Sequence, residues 1–143
     1  MSKWLPFLII AFLSVLLAGC PGADYATCSS APVTFPGGKC SAYYYQIDYD
    51  SGGVTTQALT NCKINSQRLG GNVVAFHTLE HGIGLRWLDG STLEVSVPDG
   101  VKLESQRTSD VYLGQRLAYK YRSLSPSSPE FHGCSPKRQR GGT

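Results

Sequence analysis

Two runs of strand-favouring residues on either side of one turn signal constrain this chain more than anything else in it. Tyr43-Tyr44-Tyr45-Gln46-Ile47-Asp48-Tyr49 is dense in the aromatic and β-branched side chains that suit a pleated surface. Asp50-Ser51-Gly52-Gly53 then supplies turn residues, and Val54-Thr55-Thr56-Gln57-Ala58-Leu59 resumes the β pattern. The pattern predicts an antiparallel hairpin. If Tyr49 faces Gly53 across a three-residue loop, counting outward brings Cys40 opposite Cys62. Directly opposed residues have Cβ atoms ~4.5–5.5 Å apart, closest where the pair is not hydrogen-bonded, so modest adjustment closes a disulfide. A bulge that slips the register by one residue removes that pairing.

The remainder continues in the same style. Gln67 to Asn72, with Gly70-Gly71, reads as a turn, and Val73-Val74-Ala75-Phe76 as a short apolar strand. Ile83 to Leu88 puts Ile83, Leu85 and Trp87 on one face and Arg86 on the other. Asp89-Gly90-Ser91 is a hairpin turn leading to Thr92–Val97, with Leu93, Val95 and Val97 inward and Glu94 outward. Pro98-Asp99-Gly100 turns the chain into Val101–Glu104. Val111 to Tyr121 reads as one final strand with Leu117, Tyr119 and Tyr121 on one side. No helical stripe follows Cys20. The expected class is all-β: a small antiparallel sheet, meander or sandwich over residues 40–122. Residues 20–39, rich in Pro, Gly, Ser and Ala, read as a flexible tether, and 123–143 as a disordered basic tail.

The N-terminus has an order of its own. Lys3 precedes an uncharged run from Trp4 to Leu17, interrupted by Pro6 and Ser14, and Leu17-Ala18-Gly19-Cys20 closes it. Charge, apolar core and small residues in that order make a signal peptide over residues 1–19. The run is shorter than the ~20 residues that span a bilayer. The closing tetrapeptide resembles the lipobox of bacterial lipoproteins. That resemblance implies a diacylglyceryl thioether on the Cys20 thiol, cleavage after Gly19 and acylation of the new amine. Each buried CH₂ adds ~0.8 kcal/mol, so two or three chains anchor a protein almost permanently. Pro21, in place of the Asp that favours inner-membrane retention in such proteins, points to the periplasmic face of the outer membrane if the cell has two membranes.

Export places the other four cysteines, Cys28, Cys40, Cys62 and Cys134, in an oxidising compartment, where an even count suggests two disulfides. Four cysteines allow three pairings. The hairpin register favours Cys40–Cys62, and Cys28–Cys134 follows by elimination. Their spacing matches no Cys-x₂-Cys zinc pattern. Charge is informative in pieces. Residues 20–122 carry nine Lys/Arg and nine Asp/Glu, so the body is neutral, which argues against nucleic acid. The tail carries Lys137, Arg138 and Arg140 against Glu130, fewer cations than the ~4–8 of a lipid-binding cluster.

From about Leu59 to Tyr121 the chain resembles small bacterial lipoproteins carrying a domain of unknown function. His81-Gly82, Leu85-Arg86-Trp87-Leu88-Asp89, Leu93-Glu94-Val95 and a closing segment with Tyr119 and Tyr121 carry the likeness. It implies no catalytic residues. Trp87 reads as a core anchor, since a buried aromatic covers ~150–250 Å². His77-Thr78-Leu79-Glu80-His81 spells the His-x-x-Glu-His of one zinc-hydrolase class, whose mechanism needs both histidines on one helix face. The flanks read as strand and turn, and on a strand the two would stand ~13 Å apart, too far to share a zinc. No catalytic residue, metal or cofactor is therefore expected. The expected role is a non-catalytic envelope lipoprotein, held in the bilayer by acylated Cys20 and docking to another envelope component. The alternative is an inhibitor similar to the membrane-bound lysozyme inhibitors. Their Ser-Gly-x-x-Tyr loop is half matched, because Ser51-Gly52-Gly53-Val54-Thr55 lacks the tyrosine.

Overall fold

The computed structural model describes residues 25–49, 53–131 and 137–139, the backbone alone at 25, 26 and 137–139. Eleven strands are present among them: β1 Tyr25–Ser29, β2 Val33–Thr34, β3 Cys40–Tyr49, β4 Val54–Ile64, β5 Gln67–Phe76, β6 Gly84–Trp87, β7 Thr92–Pro98, β8 Leu103–Gln106, β9 Ser109–Tyr112, β10 Gln115–Leu124 and β11 Lys137–Gln139. A 3₁₀ turn, Pro129–Phe131, lies between the last two. The fold is all-β. One sheet runs β11-β1-β3-β4-β5-β8, with β2 also paired to β3, and the other runs β6-β7-β10-β9.

The tyrosine hairpin forms β3 and β4 in the anticipated register, with Cys40 opposite Cys62 and Asp48 opposite Val54. The Tyr49 amide donates to the Gly53 carbonyl at 2.8 Å. That bond fixes Tyr49/Gly53 as a hydrogen-bonded pair. Alternation then makes Cys40/Cys62 a non-hydrogen-bonded pair, the closer kind. Their Cα atoms are 4.0 Å apart and a disulfide joins them. Alternation also sorts the side chains. Cys40, Ala42, Tyr44 and Gln46 of β3 are buried, as are Thr56, Ala58, Thr60 and Cys62 of β4.

Residues 25–34 depart from the expected tether. β1 pairs with β3 from Tyr25↔Tyr49 to Ser29↔Tyr45, and β2 pairs at Val33↔Ala42. The hairpin therefore stands inside the sheet rather than alone at its end. Gly70-Gly71 is not a turn but the middle of β5. The reversal comes earlier, at Asn65 and Ser66, whose φ values of 51° and 65° match a two-residue hairpin loop. Gly70 is needed for another reason: a Cβ there would collide with the Thr60 carbonyl oxygen. The stretch from Val111 to Tyr121 is likewise two strands, broken at Leu113-Gly114, where φ is 45° and 80°.

The second sheet covers the inner face of the first. β6 and β7 pair as the Asp89 hairpin predicts, Trp87 opposite Leu93. β10 lies parallel to β7, and the chain between them visits the first sheet as β8. Phe76, Val73 and Val74 from one sheet meet Leu93, Val95 and Leu117 from the other, all fully buried. Trp87 packs against this core, and its indole N–H donates to the Val33 carbonyl at 3.0 Å. Residues 123–131 also depart from the expected tail. Phe131 is buried, and Glu130 accepts hydrogen bonds from Ser96 Oγ (2.9 Å) and Arg122 Nη2 (2.8 Å), so this stretch is folded against β7 and β10. Cys20 and Cys134 lie outside the described residues. Cys28 is half-buried on β1 and disulfide-bonded.

Candidate functional site

The His77–His81 motif sits in neither a helix nor a strand. β5 stops at Phe76, and residues 77–83 form a loop that crosses from the first sheet to the second. Its backbone is held from below. Gln46, fully buried, points its Nε2 at Thr56 Oγ1 (3.0 Å) and at the carbonyls of His81 (3.1 Å) and Leu79 (3.4 Å). Thr56 Oγ1 in turn donates to the Thr78 carbonyl. Buried carbonyls without such donors would cost ~1–3 kcal/mol each. At its far end the loop runs close over Tyr44, where a Cβ on Gly82 would strike the phenol.

The two histidines face different partners. His77 Nδ1 lies 2.9 Å from the Val54 carbonyl, and its Nε2 lies 3.1 Å from Glu104. His81 Nε2 is 3.9 Å from Glu80, and its ring packs against Phe131. No group of three His, Cys, Asp or Glu side chains gathers at one point among the described residues. The loop does border a cleft of about 470 Å³, closed on the other side by Asp99, Lys102 and Pro126. What the motif builds is one wall of an open cleft whose lining mixes polar and apolar groups.

A second polar cluster, invisible in the sequence pattern, joins the two sheets. Tyr119 Oη donates to Asp110 Oδ2 at 2.7 Å and lies 3.2 Å from Thr60 Oγ1. Arg107 pairs with the other Asp110 oxygen at 2.5 Å. Tyr121 Oη reaches the carbonyls of Arg107 (2.6 Å) and Val73 (3.0 Å). Burial pushes the Tyr119 phenol far up and that of Tyr121 up to about 12. Both phenols are neutral: Tyr119 donates to Asp110 and accepts from Thr60, and Tyr121 donates, which locks β10 to β4 and β5.

The outer face of the first sheet is organised differently. Ser41, Tyr43, Tyr45 and Ile47 of β3 are half-buried and Tyr49 is exposed, beside Gln57, Leu59 and Asn61 of β4. Tyr45 Oη donates to Gln57 Oε1 at 2.7 Å. Burial, then the adjacent phenols of Tyr49 and Tyr43, raises the Tyr45 pKa. Rings two residues apart on one strand stand about 7 Å apart, so these form a row. At its far end the row meets cations. Lys63 pairs with Arg68, and its amide donates to the Lys39 carbonyl at 2.9 Å, which sets Lys39 opposite it. Lys39, Lys63 and Arg68 thus line up across three adjacent backbones, all exposed.

No protein-family model matches the chain, and no curated protein or solved structure matches it. The site must be judged on its own geometry. Of the residues singled out from sequence, Cys40 and Cys62 come together, and His77, Glu80 and His81 share the cleft. Ser51 and Gly52, half of the inhibitor-like loop, lie outside the described residues. The cation row was missed because its members are far apart in sequence. Carrying the hairpin register one pair past Cys40/Cys62 would have found Lys39 and Lys63.

Proposed function

We propose that this protein is a non-catalytic lipoprotein of the bacterial envelope, anchored through acylated Cys20, which works by docking the outer face of its larger sheet onto another envelope component. The observation that carries the reading is the makeup of that face: an aromatic row, amides beside it and a row of cations at one end. A solvated sheet face without a partner has no need of three partly or fully exposed tyrosines in line. The anchor suits this role. Four residues separate Cys20 from Tyr25, so the span is at most about 18 Å of extended chain. Tyr25 lies opposite Tyr49, so the anchored end of the sheet is the Tyr49 end. The cation row is then at the distal end, about 30 Å along β3, facing away from the bilayer that holds the lipid.

A photocrosslinking residue tests the reading in cells. Placed at Tyr49 or Lys63, it should capture an envelope component on irradiation, while the same residue at exposed Arg116 on the other sheet should capture none. Equal yields from all three positions would contradict it. The lysozyme-inhibitor alternative predicts instead that the purified protein inhibits lysozyme directly.

A further inference from the structure

The row Lys39–Lys63–Arg68 breaks a rule of sheet construction. Like charges directly opposite on neighbouring strands destabilise a sheet, and here three cations stand side by side, with strands ~4.8 Å apart. None of them is in an ion pair among the described residues. Sites where a sequence defies local rules without internal compensation are where function is to be sought.

The surroundings say what compensates. The next row on the same face is Ser41, Asn61 and Gly70, two small polar side chains and a bare backbone. Beyond it stand Tyr43 and Leu59. This leaves a shallow trough. One part is lined by Thr34, Lys39, Ser41, Asn61, Lys63 and Arg68, the other by Tyr43, Leu59, Asn61, Arg68 and Gly70. Asn61 and Arg68 belong to both parts, so the two are continuous, and no carboxylate among the described residues lines either.

We infer that the trough binds an extended anionic glycan. This rests on the docking reading above and names the partner's chemistry. Cations in a row take regularly spaced carboxylates or other acidic groups. Amide and hydroxyl groups on the floor match sugar hydroxyls, and the Tyr43 ring offers a flat apolar surface to the C–H face of a sugar ring. The other polyanions fit less well. A neutral body lacks the general basic field of a nucleic-acid binder. Anionic lipid headgroups lie at the wrong end of the sheet for a chain anchored at Cys20.

The test is equilibrium titration of the full-length protein, held in neutral detergent, with polygalacturonate as the anionic glycan and dextran as the neutral one. Polygalacturonate should bind with an affinity that weakens as salt rises, and dextran should not bind. Lys39→Gln, Lys63→Gln and Arg68→Gln together should weaken binding by at least about tenfold, and Tyr43→Ala by a similar factor. Arg116→Gln should change nothing. The cation variants alter only exposed side chains, so an unchanged melting temperature separates lost binding from lost fold. No binding of polygalacturonate, equal binding of dextran, or binding indifferent to the cation substitutions would overturn the inference. So would tighter binding of oligo(dT) or of phosphatidylglycerol vesicles through the same residues. If the crosslinker at Lys63 captures a protein while glycans fail, the docking face stands and its glycan assignment falls.

Discussion

Two side-chain pairs stand on the inner face of the β3–β4 hairpin, Cys40 with Cys62 and Gln46 with Thr56. Cys40 and Cys62 are buried and disulfide-linked at a separation of 22 residues. Closing a loop of that size stabilises by ~3 kcal/mol in the chain-entropy model. Cys40→Ser and Cys62→Ser should therefore destabilise the oxidised protein alike, and the double variant no more than either single one, as read by denaturant titration. Six register pairs along the hairpin, Gln46 and Thr56 hold the 77–83 loop. Gln46→Ala strips donors from the Leu79 and His81 carbonyls and should cost ~1–3 kcal/mol. The amides of residues 77–83 should then exchange with solvent markedly faster, while those of β7 and β10 hold their protection. The sequence made the first pair legible, since register alone fixes it. The same register sets Gln46 opposite Thr56, but the sequence concealed what that pair holds, because the loop carbonyls it reaches lie more than 30 residues from Gln46.

Among the elements, β10 decides how the two sheets hold together. Its Tyr119 and Tyr121 are neutral phenols hydrogen-bonded across the sandwich, and burial, the main cause, raises both pKa values above that of an unfolded tyrosine. A raised folded pKa means that the stability these groups contribute is fully present below the unfolded pKa of about 10. It is lost as pH climbs from there through about 12 at Tyr121. The melting temperature should fall steeply across that window, and Tyr121→Phe should make the fall shallower. A two-residue period and turn chemistry reveal most strands: β4, β6, β7 and the apolar half of β5 were all readable. The failures have physical causes. Gly70-Gly71 looked like a turn because glycine serves equally where backbones approach closely, and the real turn used Asn65 and Ser66 instead. β1 was hidden by a composition poor in strand formers, and it is held by pairing with β3. Ser123 to Phe131 looked disordered for its serines and prolines, yet Phe131 and Glu130 find partners on the folded body.

For the whole molecule, the proposed anchor would hang the two-sheet body by one end. Register carries the tyrosine row and the cation row onto one face, and under the proposed anchor the short link from Cys20 to Tyr25 would put the Tyr49 end nearer the lipid. Neither consequence was available from composition, which shows only a neutral body. Everything proposed about orientation and partner depends on the anchor. Cys20→Ala should release the protein from membranes or stall its processing. The most direct measurement is mass spectrometry of the mature N-terminal peptide from membrane-extracted protein. The account predicts a peptide that begins at Cys20 and carries a diacylglyceryl group. An unmodified N-terminus at any other residue would contradict it.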